Sequence, residues 1–191
     1  HGWRDRTARR RKAVELLASV DVPQPELRAR QRPGELSGGL RQRALIASAI
    51  ALDPEVIIAD EPTTALDVTV QAQVLSLLED AKVRGASIIL ISHDLSVVEY
   101  LCDEVVVMYL GRVMERGPSR AVYAQPRHPY TKALLATAPI PDPTRRRTHV
   151  PLKGDIPSPI DPPSGCVFRT RCPHAIEPCA QTIPVAADVG G

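Results

Sequence analysis

Leu36-Ser37-Gly38-Gly39-Leu40-Arg41-Gln42-Arg43, followed by Val56-Ile57-Ile58-Ala59-Asp60-Glu61 and then by Ile91-Ser92-His93-Asp94, decides the fold of this chain. A serine and two glycines opening a helix make an anion site. The first N–H groups of a helix have no intrahelical acceptor, and the helix dipole converges on them. The glycines also leave no side chain between a phosphate and the backbone, and Ser37 adds a hydroxyl donor. An apolar run ending in Asp60-Glu61 sets two carboxylates at the exit of a buried strand, where a magnesium ion and a water can be held. Each stretch alone has a plainer reading: Ser37 as an N-cap, Asp60-Glu61 as a turn after a strand, His93 as a loop histidine. Their order and spacing favour the phosphate chemistry.

Outward from these stretches, helices and strands alternate. Residues 5–20 carry Ala8, Ala13, Leu16, Leu17 and Val20 at helical spacing, and Asp21-Val22-Pro23 ends that helix. Ser37 caps a helix expected from 38 to about 52, and Pro54 separates it from a strand over 55–60. Asp67 caps a helix over 68–83 that turns Val70, Val74, Leu77, Leu78 and Ala81 inward, and Gly85 closes it. The run 87–91 is apolar enough for a strand buried on both faces of a parallel sheet. Asp94 then starts a short helix to Leu101, and a hairpin of 104–109 with 112–115 turns at Leu110-Gly111. The pattern predicts α/β architecture with a largely parallel sheet.

Composition shifts after Gly117: fourteen of the nineteen prolines lie from Pro118 onward, so 139–163 is expected to be mostly extended, with one short helix over 130–137 before it. The expected division is 1–117 and 118–191. At 43% hydrophobic and 24% charged, the chain has the composition of one soluble domain with a tail. A net charge of +2 demands no nucleic-acid partner, and the basic run Arg4, Arg6, Arg9, Arg10, Arg11, Lys12 reads as a solvated helix face. Arg145-Arg146-Arg147 reads as a charged linker. No run approaches the ~18 apolar residues of a membrane span, and no secretory signal is visible.

The octapeptide at 36–43 resembles the signature motif of ABC-type ATPases. Asp60-Glu61-Pro62-Thr63-Thr64-Ala65-Leu66-Asp67 resembles the Walker B segment running into the D-loop of that family, and Ser92-His93-Asp94-Leu95 its switch histidine. Arg127-His128-Pro129-Tyr130-Thr131-Lys132-Ala133-Leu134-Leu135 resembles the C-terminal segment of ATP-binding subunits of oligopeptide and dipeptide importers. So does Gly154-Asp155-Ile156-Pro157, leading to Pro162-Pro163-Ser164-Gly165-Cys166. Leu40 departs from the glutamine common at its signature position, as peptide-importer subunits often do. The resemblance implies the C-terminal part of an ABC-type P-loop ATPase domain, a helical-subdomain remnant plus a sheet core, with a Pro/Cys-rich tail.

It also implies a mechanism. Two such subunits, identical or homologous, sandwich two ATP molecules head to tail. Ser37, Gly38 and Gly39 would serve the partner's ATP, and Asp67 would reach across the interface. Asp60 would hold Mg2+ through water, Glu61 would orient or deprotonate the attacking water, and His93 would contact the terminal phosphate. Implied partners are transmembrane permease subunits and, indirectly, an extracytoplasmic solute-binding protein; the implied location is the cytoplasmic face of the inner membrane, peripherally. No G-x-x-x-x-G-K-[ST] occurs, and none of Lys12, Lys82, Lys132 and Lys153 follows a glycine. With His1 at the start in place of Met, the expectation is a fragment that is inactive alone. The alternatives are a non-catalytic remnant and a non-transport ABC ATPase.

Cys166, Cys172 and Cys179 stand as C-x5-C-x6-C. That spacing suggests a soft metal site or an iron–sulfur cluster, against incidental cysteines in a coil. In the resembled group a fourth cysteine usually follows and some members hold a [4Fe-4S] cluster, so an incomplete site is expected here. Cys102 is expected to be buried structure.

Overall fold

The computed structural model describes residues 5–64, 66–137, 152 and 154–189. Arg145-Arg146-Arg147, positions 139–151 and 153 of the expected extended run over 139–163, and Arg4 and Ala65 within their motifs lie outside the described residues. The chain divides into two compact units, one up to His93 and one from Asp94 onward.

The first unit opens with α1 (Arg6–Ser19), N-capped by Asp5, whose carboxylate accepts from the N–H groups of Thr7 and Ala8. A short α2 (Pro25–Arg28) and a 3-10 turn over Pro33–Glu35 lead to α3 (Gly38–Ile50). Strand β1 (Val56–Asp60) pairs in parallel with β2 (Ser87–Ile91), and α4 (Val68–Val83) crosses between them. Four of the five residues expected to face inward on α4, namely Val74, Leu77, Leu78 and Ala81, are buried; Val70 is half-buried. Gly85 stands in the left-handed region after α4, as a helix-terminating glycine does.

The two-faced burial expected for β2 is not observed. Ile57 and Ala59 of β1 are buried, whereas Val56, Ile58, Ile89 and Ile91 are about half exposed or more. Alternation places those four on the second face of the pair. The physical reason is simple: α4 packs against the sheet from one side, and among the described residues this sheet holds two strands.

The second unit holds α5 (Leu95–Leu101), then the antiparallel hairpin of β3 (Glu104–Tyr109) and β4 (Arg112–Pro118). Leu110 and Gly111 both have positive φ, 46° and 74°, the conformation of a two-residue type I′ turn whose twist matches the strands. After β4 come α6 (Ser119–Ala124), α7 (Pro129–Thr137) and α8 (Pro178–Gln181). Of these, α6 and α8 were not predicted; each is a single turn or little more and carries no readable periodicity.

The tail from 154 onward is not a loose appendage. Phe168 is fully buried and Val167 nearly so, forming one core with Tyr109. The rings of Tyr109, Tyr130 and Phe168 lie 4.8–5.3 Å apart at edge-on or tilted angles, the geometry that ring quadrupoles favour. Ser164 and Cys166 tie this segment to α8: the Ser164 hydroxyl donates to Ala180 O at 2.9 Å and the Cys166 N–H to Cys179 O at 2.8 Å.

Candidate functional site

Strand β1 ends at Asp60, which pairs with Ile91 at the end of β2. Asp60 is exposed, on the same side of the strand as Ile58. One residue on, the Glu61 N–H donates to Ile91 O at 2.9 Å, so the ladder continues one step past the strand. Glu61 has φ +46°, a conformation uncommon for a side chain larger than glycine and concentrated at functional positions. The chain then folds back in a turn closed by the Thr64 N–H to Glu61 O at 3.3 Å.

That turn brings two partners to the Glu61 carboxylate. The Thr64 hydroxyl donates to Oε2 at 2.6 Å. The His93 Nδ1 lies 2.8 Å from Oε1. The Thr64 hydrogen bond first, and the His93 ring second, hold the Glu61 carboxyl below its ordinary range, against a slight opposing effect of desolvation. The His93 side chain is 78% exposed and that of Glu61 37%, so the pair is open to a ligand from solvent. Glu61 and His93, thirty-two residues apart in sequence, are thus brought into contact by the parallel pairing of β1 with β2.

The other predicted residues stand apart from this pair. Ser37 is the N-cap of α3, its hydroxyl oxygen accepting from the Leu40 N–H at 3.4 Å. Gly38 is exposed, with open space where a Cβ would project. Gly39 is half-buried and needs its small size, since a Cβ there would sit 3.2 Å from a Val70 methyl. Asp67 is the N-cap of α4, Oδ1 accepting from the Val70 N–H at 2.9 Å.

Three contacts at or near these motifs escaped the sequence reading. Thr64 was one letter in a motif, although a hydroxyl three residues after a carboxylate is the spacing of a side-chain turn. Gln42 donates from Nε2 to Pro62 O at 2.6 Å, joining the glycine-turn helix to the residue after Glu61. Arg43 is buried, donating to the carbonyls of Val20 and Asp21 and to the Gln73 side chain.

The expectation of a metal or iron–sulfur site at Cys166, Cys172 and Cys179 finds no support. Among the described residues no three His, Cys, Asp or Glu side chains gather where they could hold a metal ion. Cys166 and Cys172 instead pack, half-buried, against the Tyr109–Val167–Phe168 core, behaving as small apolar side chains. Cys179 lies on α8. Cys102 is half-buried at the C-cap of α5.

Fold and site together define a class: a partial ATPase cassette of the ABC type. The family model described as "ABC transporter" matches residues 4–64, and that described as "Oligopeptide/dipeptide transporter, C-terminal region" matches 114–179. A peptide import ATP-binding protein of Brucella ovis is 53% identical over 186 residues, 97% of this chain and 57% of that protein. The dipeptide transport ATP-binding protein DppF of Escherichia coli is 48% identical over 184 residues, 96% of this chain and 54% of that one. Among solved structures, the dimeric bacterial ABC transporter cassette MJ0796 has a TM-score of 0.55 at 30% identity, covering 63% of this chain and 51% of that one. Over nearly its whole length the chain is similar to ATP-binding proteins of ABC transporters, in the oligopeptide and dipeptide transporter group. It spans about half the length of the curated relatives it matches.

Proposed function

We propose that this chain forms the hydrolytic part of the ATP-binding subunit that energises a peptide-type ABC importer. The observation that carries the reading is the Glu61 carboxylate held between the Thr64 hydroxyl and His93 at the exit of a parallel strand. A carboxylate held below its ordinary range is a weak proton acceptor at neutral pH. Glu61 would orient or deprotonate the attacking water. His93 lies against Glu61 and is exposed, where it can meet the terminal phosphate. Asp60, exposed at the strand end, would hold Mg2+ through water; bound there, the ion would neutralise charge on the transferred phosphoryl group.

Open space at Gly38 suits the close approach of a phosphate to the backbone. In a head-to-tail pair of ATPase subunits, as in the dimeric MJ0796 cassette, Ser37, Gly38 and Gly39 would serve the partner's ATP and Asp67 would sit at the shared seam. The assembly would rest on permease subunits at the cytoplasmic face of the membrane, with an extracytoplasmic solute-binding protein delivering the peptide. No helix among the described residues is long and apolar enough to cross a membrane, which suits attachment through such partners. The 191 residues contain no G-x-x-x-x-G-K-[ST], so catalysis needs that loop from outside them.

The test uses the ATPase assembled from this chain and a polypeptide carrying the phosphate loop, such as the part of DppF outside the matched span. Turnover is expected in the assembly and not in the chain alone. Glu61→Gln should lower kcat by about 10²-fold or more while ATP still binds. Undiminished hydrolysis in Glu61→Gln removes Glu61 from its role, and robust turnover by the chain alone overturns the dependence on an added loop.

A further inference from the structure

The contact between Gln42 and Pro62 joins two motifs that act, on the proposed function, at different nucleotides. Gln42 lies on α3, two turns or less from the Ser37–Gly39 turn, and its Nε2 donates to Pro62 O at 2.6 Å across twenty residues of sequence. Pro62 is buried and directly follows Glu61. Gln42 is half-buried, so the bond is shielded from competing water. Two further contacts hold α3 against α4, the helix that follows this loop. Gly39 lets Val70 of α4 approach closely, and Arg43 reaches Gln73 on the same helix. Glu61 is anchored from the other side by its N–H to Ile91 O.

We propose that Gln42 is a positioning residue that ties the Ser37–Gly39 turn to the Glu61–Pro62 loop, so that engagement of the turn by a partner's nucleotide sets the Glu61 carboxylate in its own subunit. The link is a rigid one. Helix α3 carries force along its axis, and the Pro62 carbonyl lies one peptide from the Glu61 Cα. The inference rests on the proposed function for its consequence in catalysis, but the tether itself is tested without it.

Hydrogen–deuterium exchange on the 191-residue chain reads the tether directly. Gln42→Glu keeps the shape and removes the donor, placing a carboxylate oxygen against a carbonyl. Amides over 61–66 are expected to exchange about tenfold faster while those over 44–50 keep their protection. Gln42→Lys, which restores a donor, should return exchange over 61–66 toward the wild-type rate. If Gln42→Glu does not fold, Gln42→Ala gives the same reading without the added charge. Unchanged exchange over 61–66 in the folded variants, or equal loss of protection throughout α3, overturns the tether.

In the assembled ATPase, Gln42→Glu should lower kcat about tenfold with KM for ATP unchanged, and Gln42→Lys should recover most of it. A wild-type assembly without turnover would refute the proposed function before any variant is read. A wild-type assembly that turns over, with kcat equal in Gln42→Glu, would refute the coupling alone.

Discussion

At the residue scale, His128 shows how a single side chain can make folding depend on pH. It precedes α7, and its Nδ1 accepts the Tyr130 N–H at 3.1 Å, so the ring must be neutral at that nitrogen to cap the helix. Burial pushes His128 below its ordinary value of 6.5, and the nearby Glu115 charge only partly offsets this. A folded value below the unfolded one means that the unfolded chain binds the proton more readily. The stability His128 contributes is therefore complete above about 6.5 and is lost as pH falls through the folded value. Thermal melting of the unit from Asp94 onward should accordingly rise as pH increases toward about 6.5. His128→Asn, which keeps an acceptor for the cap but cannot titrate, should flatten that rise. An equal slope in the variant would mean that another group is responsible. Glu115, which accepts the N–H groups of Arg127 at 2.7 Å and His128 at 3.0 Å, titrates in a lower window. Its partial burial opposes the charge, but hydrogen bonding from Thr131, Arg127 and His128 outweighs it and sets the carboxyl below 4.5. Glu61 and His93 were legible in the sequence because each sits beside a distinctive string. Arg43 was not: its burial depends on Val20, Asp21 and Gln73, which no local pattern brings near.

At the scale of elements, legibility followed length and punctuation. Helices α1, α3 and α4 each carry a capping Asp or Ser and a long apolar stripe, and the hairpin announces itself by strands on either side of Leu110-Gly111. The tail read as extended because proline content says only what a segment cannot form, not what it packs against. Its order depends on Phe168, the sole phenylalanine of the chain, meeting Tyr109 and Tyr130 from two distant elements. Gly165 is the hinge of that arrangement. It has φ +64°, and a Cβ built there would lie 2.4 Å from Cys179 O and 2.8 Å from the Ala180 carbonyl carbon. Neither atom belongs to a side chain that could turn aside. Gly165→Ala must push α8 away and break the Ser164–Ala180 and Cys166–Cys179 hydrogen bonds. The expected cost is about 2 kcal/mol, read by urea unfolding followed through tyrosine fluorescence. Gly154, also at positive φ but with nothing within 4 Å of a Cβ, should lose only about 1 kcal/mol as alanine. Equal losses at the two glycines would show that backbone strain, not the close approach of α8, sets the effect at Gly165.

At the scale of the whole molecule, the sheet of the first unit is the feature that sequence and structure describe differently. Apolar residues at every position of β1 and β2 but Asp60 and Ser87 befit strands covered on both faces, yet among the described residues α4 packs on this sheet and leaves one face open. Val56, Ile58, Ile89 and Ile91 are left 49–67% exposed, as four β-branched side chains on a single face. Contiguous apolar surface of this kind drives self-association in solution, and among the described residues no further strand pairs with the outer edges of this two-stranded sheet. The 191-residue chain should therefore associate at micromolar concentration through this face. Ile58→Lys with Ile91→Lys places two charges where the side chains already meet solvent. Sedimentation velocity of the double variant is expected to show the monomer at concentrations where the parent associates. Its melting temperature should stay within a few degrees of the parent's, because exposed positions contribute little to the core. The complementary change at a covered position, Ala59→Lys, buries a charge beneath α4 and should abolish folding. Association that persists in the double variant would place the sticky surface elsewhere. A large fall in its melting temperature would mean that the second face is covered in solution after all, by another copy of the chain or by residues that complete the sheet.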